Sequence, residues 1–130
     1  MSMEEKPNFQ TFQDFEVIYP KKEKEVAEII KKFYKSNTPI EIIGSGSKKK
    51  MGKAIQCAKT LNLSKLNGII EYLPGELYIK VMAGTGIDEI ENELKKHKQQ
   101  LAFEPIDFGY LFLGKSDCGT AAGQVSCNLS

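Results

Sequence analysis

The first part of the chain shows two different hydrophobic periods. Residues 15–19 have the composition of a short strand, and Val26, Ile29 and Phe33 then recur at helical spacing. Glutamates lie toward the start of this apolar stripe and lysines at its end, an arrangement that complements the helix dipole. The pattern predicts a strand followed by a helix over residues 22–35.

The next segments favour further strands. Residues 40–43 are β-branched and too apolar for a sheet edge, so they predict a buried strand that leads into the small-residue loop 44–52. Another strand is expected near residues 60–63. Residues 69–73 and 77–83 are extended segments whose connection contains Pro-Gly, the usual central pair of a type II turn, and they predict a hairpin.

The rest of the chain starts with a helical pattern and then loses its period. Thr85 stands three residues before Asp88, which predicts an N-terminal capping pair for a helix that runs to about residue 98. Residues 101–103 are compatible with a strand. Residues 105–123 carry four glycines without a clear period, and such a long irregular segment in a compact domain is usually functional.

Composition narrows the class of protein. With 130 residues, 41% hydrophobic and 27% charged, the chain is expected to form one globular domain preceded by a flexible arm at residues 1–14. A net charge of +1 provides no general field for nucleic acid or an anionic membrane. No apolar run is long enough for a membrane span and no secretion signal is visible, so the expected compartment is the cytoplasm.

Cysteine and histidine give little indication of reactive chemistry. Cys57, Cys118 and Cys127 are an odd number without C-x-x-C spacing, and we expect free thiols. His97 stands alone among lysines, so a surface position is expected and no metal site is predicted. No catalytic residue can be assigned.

Two glycine-rich segments are the candidates for ligand binding: the first loop, residues 44–52, and the second segment, residues 114–123. Glycines let successive backbone N–H groups converge on one point and form an anion site suited to phosphate. Two such segments could hold a pyrophosphate. The first loop lacks the third glycine of the dinucleotide fingerprint and is not a Walker A loop, so ordinary turn chemistry remains an alternative.

Several motifs extend this picture to a known family. IGSGSK at 43–48 resembles the first flavin pyrophosphate loop of FAD-linked oxidases of the vanillyl-alcohol oxidase and p-cresol methylhydroxylase type. GIIEYLPGEL at 68–77, AGTGI at 83–87 and QLAFEP at 100–105 resemble the family's successive signatures in its order and spacing. TAAGQVSCN at 120–128 is similar to its second FAD-contacting segment.

The resemblance implies an α+β fold, the N-terminal part of a two-lobed FAD-binding domain of the p-cresol methylhydroxylase type. Residues 15–63 would form a small parallel βαβ lobe, and residues 64–130 part of a lobe with a mixed or antiparallel sheet. FAD would lie between the lobes. The resemblance implies these cofactor-binding residues: Gly44, Ser45, Gly46, Ser47, Lys48, Pro105, Gly119, Thr120, Gly123 and Ser126.

The chain also departs from the family. Members that tether FAD from the first loop use a histidine, and this loop has none, so FAD is expected to bind non-covalently. Ala122 replaces the first glycine of a usual pair, and its methyl group is expected to push the backbone away from the cofactor. Lys115 and Asp117 bring charge into a stretch that is commonly small and apolar.

Three functions follow. The first is the FAD-binding part of an oxidoreductase that removes hydride from a 2-hydroxy acid and needs a further chain segment or partner oxidase subunits. The second is a non-catalytic remnant or subunit-assembly module that keeps the fold, binds no flavin and self-associates through an exposed apolar patch. The third is a module for another phosphate ligand.

Overall fold

A computed structural model describes residues 16–128 of the chain. The expected N-terminal arm, the first residue of the expected first strand and the last two residues of the expected second lobe lie outside the described residues. The first half consists of β1 (Glu16–Ile18), α1 (Glu23–Lys35), β2 (Ile40–Ile43) and β3 (Lys59–Asn62). The second half contains β4 (Ile69–Leu73), β5 (Tyr78–Val81), α2 (Ile87–Lys96), α3 (Gly109–Phe112) and α4 (Ala121–Cys127).

The first three strands form a parallel sheet in the order β1-β3-β2. The predicted parallel arrangement is confirmed, but the prediction that residues 40–43 avoid the sheet edge is wrong, because β2 is an edge strand and Ile42 is 57% exposed. The crossover through α1 places β2 two strand positions from β1, and β3 occupies the position between them. A strand's place in the sheet is therefore set by the path of the crossover and not by its own composition.

Helix α1 matches the range predicted for it. The Glu25 carboxylate accepts hydrogen bonds from the backbone N–H groups of Lys21 at 2.7 Å and Lys22 at 3.3 Å, which satisfies amides at the helix start. The chain leaves the helix through Asn37, whose φ is +49°. No residue of α1 is buried.

The predicted hairpin is present as the antiparallel pair β4 and β5. Its turn is not type II, because the connection is the 3-10 turn Pro74–Glu76, and the left-handed residue is Leu77 at φ +54°. A type II turn would need the positive φ at Gly75. The reversal therefore takes one residue more than the Pro-Gly pair indicates.

Helix α2 carries the hydrophobic core. Ile87, Ile90 and Leu94 on its inner face are buried, and the hairpin covers them with Tyr72, Ile79 and Val81. The predicted cap is wrong, because Gly86 is the N-cap residue and the Thr85 side chain forms no cap. Thr85 is fully buried and its hydroxyl accepts from the N–H of Gly68 at 3.0 Å and donates to the same residue's carbonyl at 3.1 Å.

The last part of the chain is irregular with two short helices, α3 and α4. Residues 101–103 do not form a strand, since Ala102 and Phe103 are exposed and pair with no other segment. Gln124 of α4 is buried. Among residues 16–128, no helix is long and apolar enough to cross a membrane.

Candidate functional site

A cleft of about 650 Å³ opens beside β2, at the end of the strand that leads into the first loop. In parallel sheets, the region beyond the carboxyl ends of the strands is the usual place for ligands. The first loop forms one side of the cleft, and the start of α4 together with Ala83 contributes to the other. Eight of the residues predicted from the sequence line it: Gly44, Ser45, Gly46, Ser47, Lys48, Thr120, Gly123 and Ser126.

The other two predicted residues do not line the cleft. Gly119 is buried directly behind the first loop, where a Cβ atom would lie 2.8 Å from Ser47 Oγ and 3.3 Å from Lys48 Nζ. Pro105 is half-buried at the start of the irregular segment and is not among the lining residues. The structure thus brings Gly119 to the site from behind and leaves Pro105 outside it.

Glycines at two positions allow the first loop and the second segment to touch. A Cβ atom on Gly44 would lie 2.4 Å from Thr120 Oγ1, which is too close for any side chain. The φ of Gly119 is +78°, a conformation that L side chains rarely adopt, and a Cβ atom there would also lie too close to Ser47 Oγ. These two glycines allow the first loop and the second segment, which we call the two walls of the cleft, to lie close together.

Backbone pairing fixes the second segment in place. Gly86 and Thr120 form an isolated antiparallel bridge, and the N–H of Ala121 donates to the carbonyl of Thr85 at 2.8 Å. Thr85 and Gly86 of the AGTGI motif thus hold the second segment next to the start of α2.

Ala122 lies at the same wall. Its N–H donates to the carbonyl of Ala83 at 3.1 Å, and both residues line the cleft. Ala122 is the position where the sequence departs from the family pattern, and this hydrogen bond holds its backbone in place. The alanine is half-buried.

The first loop leaves backbone donors unused. The N–H groups of residues 45–48 have no acceptor within the described chain, whereas Lys49 N–H donates back to Gly46 at 3.1 Å and Met51 N–H to Lys48 at 3.0 Å. Gly46 has φ +80° with open space around it. Successive free amides around a left-handed glycine are the donor set that binds phosphate oxygens. The loop therefore fits a diphosphate.

The three lysines of the first loop have different surroundings. Lys49 pairs with Glu41 at 3.1 Å, and Lys50 Nζ donates to the carbonyl of Phe112 at 3.1 Å. Lys48 Nζ lies 6.0 Å from the Phe108 ring centre and has no ion pair within residues 16–128. Within these residues, Lys48 thus lines the cleft without an ion pair, whereas Lys49 is paired and Lys50 does not line the cleft.

Sequence reasoning missed the group that organises residues 105–119. The Asp107 carboxylate accepts from Ser116 Oγ at 2.6 Å and from the backbone N–H groups of Gly109 at 2.7 Å and Asp117 at 3.0 Å. The hydrogen bond from Ser116 is the largest of the effects that hold the pKa of Asp107 below its usual value. An aspartate two residues before a glycine is typical of a turn, and this pattern is the sequence signal that could have indicated the role of Asp107.

Gln124 was missed as well. Its side-chain amide donates to the carbonyls of Ile106 at 2.9 Å and Cys118 at 2.5 Å. These bonds join α4 to both ends of the irregular segment. A single glutamine on a short helix gives no sequence signal for such a contact.

The cysteines and the histidine show no reactive arrangement. Cys57, Cys118 and Cys127 are free thiols, and burial raises the pKa of Cys118. His97 lies at the end of α2, with its ring 5.1 Å from that of Tyr72 and Nε2 3.9 Å from Glu93. Among the described residues, no group of His, Cys, Asp and Glu side chains could hold a metal ion.

Comparison with known proteins now identifies the class. Residues 16–126 match the family described as FAD binding domain, and the chain belongs to this family. The family resemblance and the α+β fold predicted from the sequence are confirmed, and the cofactor is FAD.

One curated relative narrows the relationship further. The chain is 34% identical over 93 residues to glycolate oxidase subunit GlcE of Escherichia coli (strain K12). The match covers 72% of this chain and 24% of the relative. The chain thus spans about a quarter of the length of the curated relative it matches.

Proposed function

We propose that this chain is the FAD-binding part of a flavoprotein oxidoreductase that oxidises a 2-hydroxy acid. One observation carries the proposal: unbonded amides of the first loop face a cleft whose opposite wall contains Thr120 and Gly123. The relative supports the substrate class, because glycolate is a 2-hydroxy acid and the relative is named as a subunit of its oxidase.

In this proposal the chain binds and orients the cofactor. The N–H groups of residues 45–48 donate to the diphosphate, and Lys48 adds a positive charge beside it. Gly44 and Gly119 keep the walls close, while Thr120, Gly123 and Ser126 contact the cofactor from the other side. Pro105 has no assigned contact, because it does not line the cleft. When bound, FAD supplies the hydride acceptor. The cofactor is held without a covalent bond.

The binding test is an FAD titration followed by flavin fluorescence, with Gly46→Val as the site variant. Valine at φ +80° is strained and its side chain blocks the amides, so FAD affinity is expected to fall at least about tenfold. Gly114→Val is the matched control, because Gly114 has φ +71°, equally open surroundings and no place in the cleft. Equal affinity loss in both variants, or no binding by the wild type, would reject the site.

The activity test needs the assembled protein. The tagged chain is purified from its host with the proteins that accompany it, and glycolate is added without oxygen. Bleaching of the flavin absorbance by glycolate, but not by succinate, is the expected result. Partner subunits and a cytoplasmic location are parts of the same proposal, and recovery of the chain alone from a soluble extract would contradict the partner claim.

The second candidate is an assembly module that binds no flavin. Ala122 in the cleft wall supports it, and so do exposed apolar residues on α3, where Tyr110 is 71% and Leu111 73% exposed. This candidate predicts a dimer or larger species by size-exclusion chromatography with light scattering and no FAD binding. A monomer that binds FAD would exclude it.

A further inference from the structure

A single carboxylate joins the two walls where they meet. Asp117 Oδ1 accepts a hydrogen bond from the backbone N–H of Gly119 at 2.7 Å, and it accepts another from Ser45 Oγ at 3.4 Å. Gly119 in turn lies against Ser47 of the first loop. Asp117 Oδ1 thus accepts one hydrogen bond from each wall, from Ser45 of the first loop and from Gly119 of the second segment.

Asp117 is itself held firmly. Its own N–H donates to Asp107 Oδ1 at 3.0 Å, and the same oxygen accepts from Gly109. A Cβ atom on Gly109 would lie 2.3 Å from the Asp117 nitrogen, so the two backbones touch. Because the backbone of Asp117 cannot shift freely, its carboxylate has a fixed position between the walls.

Two groups of opposite charge lie near Gly119. Lys48 Nζ lies 3.3 Å from the position that a Gly119 Cβ would take, so the Lys48 ammonium group and the Asp117 carboxylate both come close to Gly119. No ion pair joins Lys48 to Asp117 among the described residues, so the contacts that the carboxylate makes to the two segments are its hydrogen bonds from Ser45 and Gly119.

We propose that Asp117 is a positioning residue for FAD. Its carboxylate fixes Gly119 relative to Ser45 and so keeps the amides of the first loop directed into the cleft. This inference rests on the proposed function, in which the cleft takes the FAD diphosphate. It also gives a role to one of the charges that depart from the family pattern.

The test compares two substitutions at Asp117. Asp117→Ala removes the acceptor and is expected to lower FAD affinity about tenfold in the fluorescence titration. Asp117→Asn keeps a carbonyl oxygen that can accept from the same N–H, and it is expected to stay within about twofold of the wild type. Glu104→Ala, at an exposed carboxylate in the same irregular segment, is the control and is expected to leave affinity unchanged.

A second variant covers the case in which Asp117→Ala does not fold. Ser45→Ala removes only the bond between Ser45 and the carboxylate, and it is expected to lower affinity about threefold. An affinity equal to that of the wild type in Asp117→Ala or in Ser45→Ala would overturn the proposal. So would an asparagine variant as weak as the alanine variant.

Hydrogen exchange without FAD separates this inference from the proposed function. Asp117→Ala is expected to speed exchange of hydrogen-bonded amides in the two segments, those of Lys49 and Met51 in the first loop and of Ala121 in the second segment, but not in α1. If the wild type binds no FAD, the proposed function fails, and exchange still decides whether Asp117 holds the walls. Unchanged exchange in both segments would reject the positioning role.

Discussion

The two long helices of the molecule have similar sequence patterns and different structural roles. Both begin with acidic residues, end with lysines and carry one apolar face. Helix α1 has no buried residue, whereas Ile87, Ile90 and Leu94 of α2 are each at most 5% exposed. Hydrophobic periodicity therefore identifies a helix, but it does not say which helix forms the core.

The difference comes from what covers each apolar face. The hairpin packs on α2 from one side, and Cys118 and Ala121 next to the cleft pack on it as well. Helix α1 connects two strands of a three-stranded sheet and leaves Ile30 at 37% and Tyr34 at 83% exposure. The core that supports the cleft is thus the one around α2.

The largest predicted effect is at the core helix. Leu94→Ala is expected to lower the free energy of unfolding by about 2–5 kcal/mol, because it removes a buried side chain and leaves a cavity. Ile30→Ala on α1 is the matched control, with an expected loss below about 1 kcal/mol since its side chain is partly in water. Urea unfolding measures both. Similar losses of unfolding free energy in the two variants would contradict the difference between α1 and α2.

A smaller effect is expected where the chain enters α2. Thr85→Val keeps the shape of the buried side chain but removes its two hydrogen bonds to Gly68. The expected loss is about 1–3 kcal/mol, because the amide and carbonyl of Gly68 lose this partner. Thr38→Val, at a half-buried threonine after α1, is expected to change stability by about 0.5 kcal/mol or less. An unchanged free energy of unfolding in Thr85→Val would show that the hydrogen bonds between Thr85 and Gly68 do not support the core.

The smallest effect is a pH dependence at Asp107. Its pKa is lowered in the folded protein from the ordinary value of 3.8, so the ionised form stabilises the native state. This stability is fully present above pH 3.8 and is lost as pH falls below that value toward the folded pKa. Asp107→Asn is therefore expected to flatten the fall of the urea midpoint as pH decreases below 3.8. An equally steep fall in the variant would contradict this assignment.

Much of the fold was predictable from the sequence because its signals are local. The period over residues 22–35 identified α1, and the Pro-Gly pair located the hairpin. The edge position of β2 and the burial of Thr85 were not predictable, since both depend on contacts between segments distant in sequence. Thr85, for example, bonds Gly68, which is 17 residues away.

The candidate site was predictable to a different degree. Glycines of the first loop and the second segment carry a family pattern, and eight of the ten residues inferred from it line the cleft. Asp117 joins the two walls, and Asp107 and Gln124 hold the irregular segment in place, each through a single side chain. Only Asp107 carries a sequence signal, the turn pattern of an aspartate two residues before a glycine, so the contacts themselves become visible only in the structure.

The most direct test of FAD binding in the cleft is a calorimetric titration of the purified chain with FAD, FMN and ADP in parallel. Saturable FAD binding at least about tenfold tighter than binding of either smaller nucleotide is expected, because the two walls around Thr120 and the first loop are proposed to hold the whole cofactor. Absence of FAD binding, or equal affinity for ADP and FAD, would contradict the assignment of the cleft to FAD.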